Sequence, residues 1–123
     1  MEHFEKWRDV FLVAEVKGEV VAYIMTRVEW GVGFFTLRIV KKGHIVSIAV
    51  LPEYRRRGIA KKLMSNVLET LKNRYKCNEV YLEVRVSNVP AINLYEKLGF
   101  EKVKVIKGYY LDGEDAYIMA KRL

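Results

Sequence analysis

The sequence predicts an α/β (α+β) fold, a mixed and mostly antiparallel sheet of about six or seven strands flanked by helices. Three observations predict it. Apolar, β-branched runs of strand length recur along the chain. One long segment switches to helical period. Strand–helix–strand units in the middle require a parallel pair, and hairpins at both ends require antiparallel edges. At 123 residues, 51% hydrophobic and 30% charged, the chain is expected to form one globular domain over residues 1–123.

Glu2–Arg8 reads as the end of a short helix. Val10–Val16 and Val20–Val28 read as strands joined by the turn Lys17-Gly18-Glu19, a hairpin. Gly31 and Gly33 loosen the chain before another apolar stretch, Phe34–Val40, which reads as an optional further strand, and Lys41-Lys42-Gly43 reads as a turn. His44–Leu51 is a compact apolar run, as in a strand buried on both faces. Ile59, Leu63, Met64, Val67, Leu68, Leu71 and Tyr75 follow at steps of 4, 1, 3, 1, 3 and 4, one face of a helix over about Gly58–Lys76. Val80–Val86 is the next strand. Ser87 and Asn88 can cap a helix that has Pro90 in its first turn and Gly99 as its stop. Glu101–Tyr110 and Ala116–Arg122 are strands around the hairpin turn Asp112-Gly113.

Composition excludes several classes. No apolar run approaches the ~18 residues of a membrane helix. Met1–Asp9 is charged throughout and does not resemble a signal peptide. One cysteine, Cys77, cannot form an internal disulfide framework or a zinc finger, and no metal is expected. A cytoplasmic protein is the default expectation. Basic residues outnumber acidic ones 22 to 15, a net +7, which calls for an anionic partner. Nucleic acid, a membrane surface and a phosphorylated cofactor all satisfy that alone. The absence of glutamine and the high charged fraction fit a thermophilic source.

The most informative stretch is Val46–Ala60. A buried strand ends, a short loop carries Arg55-Arg56-Arg57, and a helix opens on Gly58-Ile59-Ala60. Free backbone N–H groups and the helix dipole favour an anion there, and small residues let a diphosphate approach. The arginines alone could equally be solvated surface. The loop is neither a Walker A loop nor a dinucleotide GxGxxG.

Arg55-x-x-Gly58-x-Ala60 between strand and helix resembles the acetyl-CoA motif of the GNAT acetyltransferase superfamily. Leu82-Glu83-Val84-Arg85, Ser87-Asn88 and Leu94-Tyr95-Glu96-Lys97-Leu98-Gly99-Phe100 resemble its second signature. Gly108-Tyr109-Tyr110-Leu111-Asp112-Gly113 resembles the protein N-terminal acetyltransferases, including ribosomal-protein-alanine acetyltransferases and archaeal relatives. His44 before the central strand resembles the archaeal branch.

The resemblance implies a GNAT-type sheet whose central parallel strands splay, and transfer of acetyl from acetyl-CoA to α-amines of protein N-termini. It implies that the backbone of Ile48, Ala49 and Val50 holds the pantetheine arm. Arg55, Arg56, Arg57, Gly58, Ile59 and Ala60 would hold the diphosphate, and Asn88 would bond near the thioester. Tyr95 would stand beside the sulfur as general acid, or is a packed helix aromatic. Glu83 or His44 would take the amine proton, an imidazole being suited to neutral pH. Glu83 could otherwise pair with an arginine, and His44 could be structural. His3 reads as surface. Tyr109 and Tyr110 would grip the peptide, or are ordinary strand aromatics.

The family pattern has a further strand, helix and loop before the point where this chain starts. An N-terminally shortened domain is therefore expected, with an exposed sheet edge that invites homodimerisation. The implied partners are protein or peptide N-termini and the ribosome, with no membrane and no nucleic acid. Other readings are a lysine or small-amine acetyltransferase, a weakly active acyl-CoA-binding relative, and a nucleic-acid binder built on Arg55–Arg57.

Overall fold

The computed structural model describes residues 10–123. The expected helix at Glu2–Arg8 and the side chain of His3 lie outside them. The strands are β1 (Val10–Val16), β2 (Glu19–Val32), β3 (Ile39–Val50), β4 (Glu79–Arg85), β5 (Glu101–Ile106) and β6 (Ala116–Arg122). The helices are α1 (Ile59–Asn73) and α2 (Val89–Lys97), with one short 3-10 turn at Pro52–Tyr54. The six strands form one sheet in the order β1-β2-β3-β4-β6-β5. Among the described residues only β3 and β4 pair in parallel; the other neighbours are antiparallel. The expected mixed sheet is present. Among the described residues no helix is long and apolar enough to cross a membrane.

The core lies between the sheet and α1. Leu63, Met64, Val67 and Leu71, one face of α1, are buried against Val21, Ile24, Ile45, Val80 and Leu82. Strand alternation sends Val80, Leu82 and Val84 of β4 into this core and leaves Tyr81, Glu83 and Arg85 on the other face. Asn88, rather than Ser87, caps α2, its side chain accepting a hydrogen bond from the Ala91 N–H at 3.3 Å.

Three expectations are corrected. Phe34–Val40 is not a separate strand. Buried Glu79 accepts hydrogen bonds from the backbone N–H groups of Phe34 (2.7 Å) and Phe35 (3.2 Å), so those donors serve a side chain instead of a ladder. Only Ile39 and Val40 of that stretch are extended, as the start of β3.

Lys41-Lys42-Gly43 is not a turn but the middle of β3, paired with Trp30, Glu29 and Val28 of β2. Lys42 is buried with its ammonium on the Val32 carbonyl at 3.0 Å. Gly43 is required by helix packing: a Cβ there would lie 2.5 Å from Leu71 Cδ1. Glu101–Tyr110 is extended only to Ile106, because Gly108 takes a left-handed φ of 62° and turns the chain.

Candidate functional site

The site begins where β3 and β4 part. Their pairing runs from Lys42 with Glu79 to Ile45 with Leu82 and stops there. The β2–β3 register shifts at the same place: Met25 faces Ser47 but Thr26 faces Ile45, leaving Val46 as a bulge. A bulge adds bend and twist. Beyond it β3 stays paired with β2, and β4 stays paired with β6 as far as Arg85 with Ala116. The edge of β3 from Val46 to Val50 that faces β4 therefore has no strand partner. Expected cofactor positions Ile48, Ala49 and Val50 lie on this edge. Ile48 and Val50 pack on the core, and Ala49 is exposed.

The chain leaves β3 into the arginine loop. Arg55 Nε donates to the Val50 carbonyl at 3.1 Å, and Arg57 lies over the Tyr54 ring at 5.0 Å. Arg56 and Gly58 both take left-handed backbone, φ 63° and 76°. Gly58 is the N-cap of α1 with no side-chain cap bond, so the first-turn amides are unmasked by any capping side chain. A Cβ on Gly58 would meet nothing within 4 Å. The unpartnered strand edge, the open helix N-terminus and three exposed arginines fit an acyl-CoA, its arm along β3 and its diphosphate at Gly58-Ile59-Ala60.

At the mouth of the splay, His44 of β3 and Glu83 of β4 meet, Nε2 to Oε1 at 2.8 Å, both side chains mostly buried. Glu83 is the first residue beyond the last paired position, Leu82. Its partner is thus the histidine and not an arginine. Arg85 instead binds Asp112 (2.9 Å) and Glu114 (2.8 Å) and covers the Tyr110 ring at 4.0 Å. Glu114 also accepts from the Ser87 N–H at 3.0 Å. These contacts fasten the 107–115 loop to the end of β4. Hydrogen bonds from the loop backbone, from Arg85 and from Ser87 hold the carboxyls of Asp112 and Glu114 below the usual range.

Tyr109 and Tyr110 meet edge to face at 5.0 Å. Burial pushes both phenols up, helped by the Glu83 charge for Tyr109 and by Tyr109 for Tyr110. Tyr95 is buried, 6.0 Å from Phe100 between ring centroids. Burial first, then Tyr110, raises its phenol, so it is a neutral donor throughout the physiological range. Asn88 spends its side-chain oxygen on the cap, and its amide N–H₂ group remains for a ligand.

Two residues join the site unannounced by motif. Tyr81 stacks on His44, rings 4.3 Å apart and 6° from parallel, and donates its hydroxyl proton to Glu29. The period-2 pattern of β4 could have placed Tyr81 beside Glu83; nothing local could have found Glu29, 52 residues away.

The chain belongs to the GNAT acetyltransferase family: the model of that family, "Acetyltransferase (GNAT) family", matches residues 1–100. Within it, the chain is 58% identical over 127 aligned residues to an N-alpha-acetyltransferase of Sulfurisphaera tokodaii, covering 100% of this chain and 75% of that relative. Among solved structures it is similar to Chaetomium thermophilum Naa20 in complex with a bisubstrate analogue. That match has a TM-score of 0.83 and 32% identity, over 99% of this chain and 70% of the other. The NatC complex bound to Gag peptide and CoA matches with a TM-score of 0.82 and 30% identity, over 98% of this chain and 75% of that one.

Proposed function

We propose that this protein transfers the acetyl group of acetyl-CoA to the α-amino group of protein N-termini, the amine attacking the thioester directly in a ternary complex. The observation that carries the reading is the His44–Glu83 pair at the point where β3 and β4 separate. Relatives named N-alpha-acetyltransferase support the α-amine over a lysine side chain.

Acetyl-CoA supplies an acyl group already activated as a thioester. The edge of β3 at Ile48–Val50 offers backbone groups to its arm, and a strand N–H there can stabilise the developing oxyanion. Arg55–Arg57 and the amides at Gly58–Ala60 bind the phosphates, which accounts for part of the net +7. An α-amine has a pKa of about 7.7–8.0, so a substantial fraction is neutral at pH 7 and a modest acceptor suffices. His44 with Glu83 takes the proton, directly or through water. Tyr95 directs its O–H at the departing sulfur. Its raised pKa makes full proton transfer to a thiolate of pKa about 8.5 uphill, so it acts chiefly as a hydrogen-bond donor. Tyr109, Tyr110 and the loop clamped by Arg85 seat the first residues of the peptide.

The whole chain is read as one catalytic domain working in the cytoplasm, reaching nascent chains at the ribosome and pairing with a second copy along the outer edge of β1. Co-sedimentation with ribosomes and the sedimentation coefficient of the pure protein test those two associations. For the chemistry, His44→Ala and Glu83→Gln should each lower kcat on an N-terminal peptide at least about ten-fold while acetyl-CoA binding is kept. Parental kcat in both variants would remove the pair from the mechanism.

A further inference from the structure

His44 can accept a proton productively only if its ring is held in one plane and one rotation. The bond from Nε2 to Glu83 fixes the rotation within the plane. The plane itself is fixed by Tyr81, its direct register partner on β4, whose ring lies 6° from parallel at 4.3 Å.

Tyr81 is in turn enclosed. Its hydroxyl donates to Glu29 Oε1 on β2. Phe34 tilts against its ring at 5.1 Å between centroids. Lys42 Nζ sits 4.9 Å from the ring centroid, itself tethered to the Val32 carbonyl at 3.0 Å. Burial and the Glu29 hydrogen bond raise the phenol well above its usual range, so its proton stays in place as the donor to Glu29. Strands β2, β3 and β4 thus each contribute one member of a chain Glu29–Tyr81–His44 that ends at Glu83.

We propose that Tyr81, pinned by Glu29, is a positioning residue that holds the His44 imidazole in the orientation required to take the amine proton. The proposal rests on the reading of His44–Glu83 as the proton acceptor. A phenol serving only as packing could be replaced by phenylalanine without effect, whereas a pinned phenol could not.

The test combines steady-state kinetics on an N-terminal peptide with NMR of the His44 imidazole, assigned by its loss in His44→Ala. The expected result for Tyr81→Phe and Glu29→Ala is a fall in kcat of about ten-fold each with an unchanged KM for acetyl-CoA, as expected of a misplaced catalytic group. The double variant should be no slower than either single one, because both remove the same bond. Glu29→Gln keeps an acceptor and should restore most of the rate. The His44 ring protons, shifted upfield by the stacked Tyr81 ring, should move toward free-imidazole positions in Tyr81→Phe. Glu29→Gln compared with Glu29→Ala gives the same readout if Tyr81→Phe fails to fold. Parental kcat together with parental His44 shifts in Tyr81→Phe would overturn the proposal. Moved shifts with parental kcat would uphold the positioning and overturn the role of His44 as acceptor.

Discussion

Gly58 and Gly18 form a matched pair that separates strain from ligand binding. Both have left-handed backbone, φ 76° and 79°, and both face open space where a Cβ would stand. Replacing either by alanine puts a Cβ in the left-handed region at a cost of about 1–2 kcal/mol. The lower entropy of the unfolded alanine chain offsets about 0.4–1 kcal/mol of that strain. The net loss of roughly 1 kcal/mol should lower Tm by roughly 3–6 °C for a domain of this size, equally in the two variants.

Their ligand binding should differ. Gly18 lies in the β1–β2 turn, and Gly58 caps the helix whose first amides are proposed to take the diphosphate. Displacing a single hydrogen bond to a charged group costs about 1.5–3 kcal/mol, at least ten-fold in affinity. Calorimetric titration with acetyl-CoA should therefore show Gly58→Ala weakened about ten-fold or more and Gly18→Ala unchanged. Equal Tm losses with a parental Kd for Gly58→Ala would refute the phosphate cradle at this turn.

Other perturbations follow from the same geometry. Tyr95→Phe should lower kcat by roughly ten- to a hundred-fold with little change in KM, and the parent should show no alkaline loss from this phenol below about pH 10, since burial raises it. Arg85→Ala leaves Asp112 and Glu114 without their cation, so the KM for peptide should rise several-fold while that for acetyl-CoA stays constant. The carboxyls of Asp112, Glu114 and Asp115 are lowered in the fold, so their stabilisation is complete above the ordinary carboxylate range and fades as pH falls through their depressed values. Limited proteolysis of the 107–115 loop should accordingly accelerate only at pH below about 4. Gly43→Ala forces a methyl against buried Leu71 and should cost about 1–3 kcal/mol by urea denaturation, with no cost if α1 can move aside.

Much of the fold was legible because its signals are local. The helical period of α1, the Asn88-x-Pro90 start of α2 and the alternating strands at both ends need no distant partner to be read. Two of the three errors share one cause. Phe34–Val40 looks like a strand, and its amides are diverted by Glu79, 44 and 45 residues away. Lys41-Lys42-Gly43 looks like a turn, and it is held straight by β2 on one side, while Leu71 of α1 packs where a Gly43 side chain would stand. At the candidate site, Arg55–Ala60 and Leu82–Phe100 stand out by motif, and His44 and Glu83 stand out as two separate candidates for the base. The His44–Glu83 bond, the Tyr81–Glu29 support and the Arg85 clamp depend on register between strands far apart in sequence, which local pattern does not encode.

The central claim is acetyl transfer to α-amines. Mass spectrometry of peptides carrying both a free N-terminus and an internal lysine, incubated with acetyl-CoA and the protein, tests it directly. Acetylation at the N-terminal α-amine, abolished in the double variant His44→Ala/Glu83→Gln, is the result expected. Acetylation confined to lysine side chains, or none at all from a protein that still binds acetyl-CoA, would contradict it.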